Sequence, residues 1–125
     1  MSKAHTLGVT NGKLADLPQS PNAVSSQTSQ SAKQVEALPL KGSAVETKAA
    51  IIDCLAKMGG NKIAEQADDY IRAVFTTRLF RFKDDVEFYI DADEGQVHFR
   101  SASRVGYSDM GANRKRYQAF KELYQ

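Results

Sequence analysis

Residues 80–116 read FRFKDDVEFYIDADEGQVHFRSASRVGYSDMGANRKR. From Asp84 to Asp91 the residues alternate, with Val86, Phe88 and Ile90 on one side and Glu87, Tyr89 and Asp91 on the other. From Gln96 to Ser101 the alternation resumes, with Val97 and Phe99 inward and His98 and Arg100 outward. A period of two is that of a strand with unlike faces. The Asp93-Glu94-Gly95 step between the two runs is a hairpin signal. A Ser/Arg/Gly loop then leads into a basic helix, expected to start near Ser108 or Asp109 and to end near Tyr124. Its inward stripe is Asn113, Tyr117, Phe120 and Tyr124, with Met110 and Leu123. Arg114, Lys115, Gln118, Lys121 and Glu122 face water.

Working outward, Asp69 to Thr77 alternates too, with Ile71, Ala73 and Phe75 on one side. Asn61 to Gln66 is a shorter, weaker strand pattern, and the residues from Thr77 to Lys83 extend a strand or bend between two. Short loops between these segments require antiparallel pairing. Before them, Ser43-Ala-Val-Glu46 fits a capping box, in which each residue satisfies the other's free amide. The helix it opens carries Ile51, Ile52, Leu55, Ala56 and Met58 on one broad face and stops at Gly59-Gly60. Residues 1–42 are rich in Ser, Gln, Asn and Lys and show no sustained period, so they read as an extended, partly disordered arm. Two points in it suit docking: SPNAVSS at 20–26, with turn chemistry, and VEALPL at 35–40. The expected fold is α+β: an antiparallel sheet of about four strands with two helices on one face, in the order α-β-β-β-β-α. The arm precedes a single domain over residues 43–125.

At 125 residues the chain is one domain at most. Its net charge of +2 comes wholly from the arm, because residues 43–125 balance 13 basic against 13 acidic residues. A neutral domain lacks the electrostatic footprint of a nucleic-acid binder, and nucleic acid is not expected as a partner. One cysteine, Cys54, allows no internal disulfide and reads as a small core residue. No apolar run reaches the roughly 20 residues of a spanning helix. The expected location is cytoplasmic, or periplasmic or lipoprotein if a leader has been removed.

SPNAVSS, TRLFRFKDDVEF and RSASRVGYSDMGANRKR together resemble the domain-of-unknown-function family 1499, found in bacteria and plastid-bearing eukaryotes. The resemblance runs from about Leu7 to Tyr124 and implies no activity, cofactor or catalytic residue. Similar proteins often carry a Cys just before the arm's Pro and another just after the Asn of the SPN turn. Here those positions are Leu17 and Ala23. This chain therefore makes neither a disulfide clasp nor a thiol pair there.

The candidate ligand site comprises Arg78, Arg81, Arg100, Ser101, Ser103, Arg104, Tyr107 and Asp109. Arginine binds carboxylate and phosphate in a fork, and a loop feeding a helix N-terminus offers free amides to anions. The leading expectation is a non-catalytic binding or interaction module for an anionic small molecule or a peptide carboxylate. The opposing expectation is that these arginines pair with Asp84, Asp85, Asp109 and the arm. Asp84 and Asp85 are adjacent on a strand and should point to opposite faces. Two alternatives stand beside the binding module. One is a small hydrolase or lyase using Arg104, Tyr107 and Asp109, and the other a structural protein whose arm docks on itself or a neighbouring copy. No nucleophile elbow, metal-spaced Cys/His cluster, phosphate loop or dinucleotide fingerprint is present, so no catalytic residue, metal or cofactor is expected.

Overall fold

The computed structural model describes residues 7–78, 81–105 and 111–125. Helix α1 spans Ala44–Met58, capped by Ser43. The Ser43 hydroxyl accepts from the Glu46 amide at 3.1 Å, and Glu46 accepts from the Ser43 amide at 2.9 Å. This box needs a glycine before it. Gly42 sits at φ +75°, and a Cβ there would press against a Glu46 carboxylate oxygen. Gly59 and Gly60, both at positive φ, end the helix. The buried face of α1 is Thr47, Ile51, Cys54 and Leu55. Ala56, expected on that face, is exposed.

The strands, numbered along the chain, are β1 (Val9–Thr10), β2 (Lys13–Leu14), β3 (Ala23–Ser25), β4 (Leu38–Pro39), β5 (Asn61–Ala67), β6 (Tyr70–Thr76), β7 (Lys83–Asp91) and β8 (Gln96–Ser103). Helix α2, Ala112–Tyr124, closes the chain. Strands β5 to β8 form an antiparallel meander in the order β8-β7-β6-β5. The register follows the alternation: Phe88 faces Phe99, and Ile90 faces Val97.

The expectation of about four strands in the order α-β-β-β-β-α is corrected here. The main sheet has six strands, and a separate ribbon pairs β1 with β2. The two additional strands of the main sheet precede α1. Strands β3 and β4 each pair antiparallel with the free edge of β8, Val24 opposite Ser101 and Leu38 opposite Val97. An unpaired β8 edge would leave a row of amides and carbonyls open, and these two short pieces cover it. They lie at the SPNAVSS and VEALPL stretches. Tyrosines of α2 fasten the same segment. The Tyr117 hydroxyl donates to the Glu36 carbonyl at 2.7 Å, and that of Tyr124 to the Pro39 carbonyl at 2.6 Å.

Both helices contribute to one apolar cluster on one face of the sheet. Ile51 and Leu55 of α1 and Tyr117, Phe120 and Tyr124 of α2 join Ile71, Phe75, Val86, Phe88, Val97 and Phe99. Phe88 sits 4.7 Å from Phe120 and 5.3 Å from Phe99, ring centre to ring centre. Such aromatic pairs add roughly 0.5–1.5 kcal/mol beyond their buried area. Leu123, expected on the inner stripe of α2, is 44% exposed. The expected α2 start at Ser108 or Asp109 and the inward Met110 lie outside the described residues.

The opposite face of the sheet departs most from expectation. Glu87, His98 and Arg100 point away from the helices as the alternation predicts, yet all three are buried. Residues 7–17 cross that face at Glu87 and Arg100, whereas His98 meets Ser26 and the Tyr89 ring. The Gly8 amide donates to Glu87 at 2.7 Å, and Arg100 donates to the carbonyls of Ala15 and Asp16. Leu17 and Ala23, the two positions discussed above for cysteine, pack with Ala102 in a small apolar cluster.

Candidate functional site

One end of the sheet gathers the start of β7, the ends of β6 and β8, and the start of α2. Asp84 and Asp85 fall there on opposite faces. Asp84 turns toward α2 and pairs with Arg116 at 2.7 Å, both side chains nearly out of water. Arg116 also donates to Asn113 at 2.8 Å and to the Ser101 hydroxyl at 3.2 Å, and lies 4.8 Å from the centre of the Phe75 ring. Asn113 donates in turn to the Asn22 carbonyl and the Ser103 hydroxyl, each at 3.0 Å. This network ties β3, β8 and α2 together. One oxygen, Asp84 Oδ1, is buried without a hydrogen bond among the described residues.

Asp85 faces the other way and meets two arginines. Arg104 holds it as a fork through Nε at 2.8 Å and Nη2 at 3.0 Å, and Arg72 adds a bond at 3.1 Å. Burial pushes the Asp85 carboxyl up, but the two guanidiniums outweigh it and hold the group below its ordinary value. Beside this pair, Glu87 accepts from the Tyr70 hydroxyl at 2.5 Å and from Arg100 at 3.3 Å. Burial, then the Glu87 carboxylate, drives the Tyr70 phenol well above its ordinary value.

The eight candidate residues do not form one site. Arg100 and Arg104 are committed to Glu87 and Asp85, with Arg100 also binding the arm. Ser101 and Ser103 lie on the helix side, engaged by Asn113 and, for Ser101, also Arg116. Tyr107 and Asp109 fall outside the described residues. Arg78 and Arg81 stand apart. Both are exposed, and neither has an ion pair among the described residues. They line a cavity of about 420 Å³ with Lys62, Thr76 and Thr77, together with Gly60, Asn61 and Val74. No carboxylate is among its lining residues. Lys83, beside it, donates to the Thr76 hydroxyl at 3.2 Å. Lys62 was not legible as a member, because it joins Arg78 only through the antiparallel pairing of β5 with β6.

The opposite end of the sheet is acidic. The β7–β8 hairpin carries Asp91, Asp93 and Glu94, and Asp69 sits beside it, its carbonyl accepting from the Ile90 amide. Burial, and then Asp91, Asp69, Asp93 and Glu94, raise the Tyr89 phenol above its ordinary value. Donor atoms of Asp91, Glu94 and His98 lie within 4.8 Å of one another. Sequence reasoning missed this group because its members are separated by the turn. The only signal was a carboxylate on each side of the bend and a histidine on the returning strand. His98 also lines a cavity of about 770 Å³ between α2 and residues 26–37. In that cavity Arg114 donates to the Ala32 carbonyl and Lys121 pairs with Glu36.

Fold and site together define a small α+β protein whose single main sheet has a cationic cavity at one end and an acidic hairpin at the other. The chain belongs to the family described as protein of unknown function (DUF1499), whose model matches residues 13–123. No curated protein matches it. Among the described residues, no helix is long and apolar enough to cross a membrane.

Proposed function

We propose that this protein is a non-catalytic binding module whose ligand presents an anionic group, a phosphate or a carboxylate, to the cavity at the Gly60 and Thr77 end of the β5–β6 pair. The observation carrying this reading is the lining itself. Lys62, Arg78 and Arg81 border one cavity with two threonine hydroxyls and no carboxylate. Cations without carboxylate partners, held beside hydroxyl donors, are what bidentate recognition of an oxyanion requires. Arg100 and Arg104, the other arginines first assigned to the site, hold the fold instead. That commitment also weighs against the hydrolase or lyase alternative, which uses Arg104 with Tyr107 and Asp109.

A thermal-shift series with inorganic phosphate, pyrophosphate and citrate tests the reading. Wild-type protein is expected to gain stability with at least one of them. An Arg78→Ala/Arg81→Ala variant, altered only at exposed positions, should lose that gain while keeping its unliganded melting temperature. Equal stabilisation of both proteins, or of neither, overturns the proposal.

A further inference from the structure

The acidic hairpin carries a second inference, independent of the anion cavity. His98 projects from β8 with its side chain only 9% exposed. Its Nδ1 is engaged by the Ser26 hydroxyl at 3.1 Å. Ser26 is itself fixed on β8. Its hydroxyl accepts from the Phe99 amide at 2.9 Å, and its amide donates to the Phe99 carbonyl at 2.8 Å. The ring also stacks against Tyr89, at 17° between planes. The imidazole is therefore held in one orientation, with Nε2 directed at Glu94, 3.6 Å from Oε1. That separation is outside hydrogen-bond range. Among the described residues Nε2 makes no hydrogen bond, so one ring nitrogen of a mostly buried side chain is aimed at a carboxylate without bonding it. Asp91 stands beside them across the turn, where one oxygen accepts from the Glu94 amide at 3.1 Å.

We propose that the β7–β8 hairpin is a divalent transition-metal site, with His98 Nε2 and the carboxylates of Asp91 and Glu94 as its protein ligands. One imidazole with two carboxylates suits zinc and manganese, whereas calcium and magnesium take oxygen alone. Zinc is the better fit, because three protein ligands and one exchangeable position satisfy its four-coordinate preference. Ligand atoms around a tetrahedral zinc sit about 3.4 Å apart, from bonds of about 2.0–2.1 Å. The three donors already lie within 4.8 Å of one another, so a modest approach brings them to that spacing. Glu94 is free to make it, since its side chain is 62% exposed. The Ser26 bond to Nδ1 is the outer partner that orients a ligating imidazole. The surrounding carboxylates favour a cation at this end of the sheet.

Isothermal titration of zinc chloride into chelator-stripped protein tests the site. Wild type is expected to bind one zinc per chain. His98→Ala should weaken binding by more than about tenfold, at least the loss usual for an outer partner of a metal ligand. Glu94→Gln should do the same. It changes an exposed side chain and so remains informative if the His98 variant folds poorly. His5→Ala, altering the other histidine, should leave the affinity unchanged. Absence of zinc binding to wild type, undiminished binding to Glu94→Gln, or loss of binding in His5→Ala would each overturn the assignment.

Discussion

Replacing Glu87 by Leu should be among the most damaging single changes in this chain. Glu87 is fully buried, and three donors converge on it: the Gly8 amide, the Tyr70 hydroxyl and Arg100. Arg100 is itself only 3% exposed. Without Glu87 its charge keeps two carbonyl partners and loses its counter-ion. Breaking one partner of a buried ion pair costs about 3–5 kcal/mol. For a chain of this length each kcal/mol moves the melting temperature by roughly 3–6 °C. The expected fall is therefore on the order of 10–30 °C. Urea unfolding followed by far-ultraviolet circular dichroism measures the loss directly. The mechanism makes a second demand: Arg100→Met added to Glu87→Leu should recover part of the loss, because no unpaired charge is then buried. A loss below about 1 kcal/mol, the scale of an exposed pair, would refute the reasoning. So would strict additivity of the two substitutions.

Three further outcomes follow from other contacts. Asp85 titrates below its ordinary value of 3.8, so its contribution is present above that pH and lost as pH falls through the lower folded value. Asp85→Asn should therefore unfold with a shallower acid limb below pH 4 than wild type, and equal limbs would contradict the Arg104 and Arg72 pairing. Tyr70 is raised, so its contribution holds below its ordinary value of 10.0 and declines as pH rises above it. Tyr70→Phe should be less stable than wild type near neutrality, by about 1.5–3 kcal/mol for the lost hydrogen bond to a carboxylate, and the gap should narrow above pH 10 in urea titrations. Removing residues 1–17 uncovers Glu87 and Arg100 and deletes buried Leu14 and Leu17, so the melting temperature should fall sharply. An unchanged value would show that this segment does not cover the sheet.

What the sequence made legible was local. The Ser43 capping box, the glycine stop after Met58 and the alternation of β6, β7 and β8 are all set by neighbours a few residues apart. The opposite faces of Asp84 and Asp85 followed from the same period of two. Strands β3 and β4 are three and two residues long, too short to carry a period. Their pairing with β8 joins residues more than fifty positions apart, and only turn chemistry and a patch of apolar residues hinted at it. The burial of Glu87, His98 and Arg100 was illegible for a related reason. Alternation assigns a face, but whether that face is wet depends on residues 7–17 crossing it at Glu87 and Arg100 and on Ser26 meeting His98. The candidate site divided along the same lines. Composition marked the arginines, and the pairing of strands decided which were spent on carboxylates and which face open space.

Amide chemical-shift mapping with pyrophosphate shows directly whether an anion binds at the Gly60 and Thr77 end of the β5–β6 pair. Saturable shifts are expected at Gly60, Lys62, Thr76, Thr77 and Arg78, weakened by added salt as screening of exposed charges requires. Shifts confined to the cavity lined by Arg114 and Lys121, or no saturable shift anywhere, would contradict it.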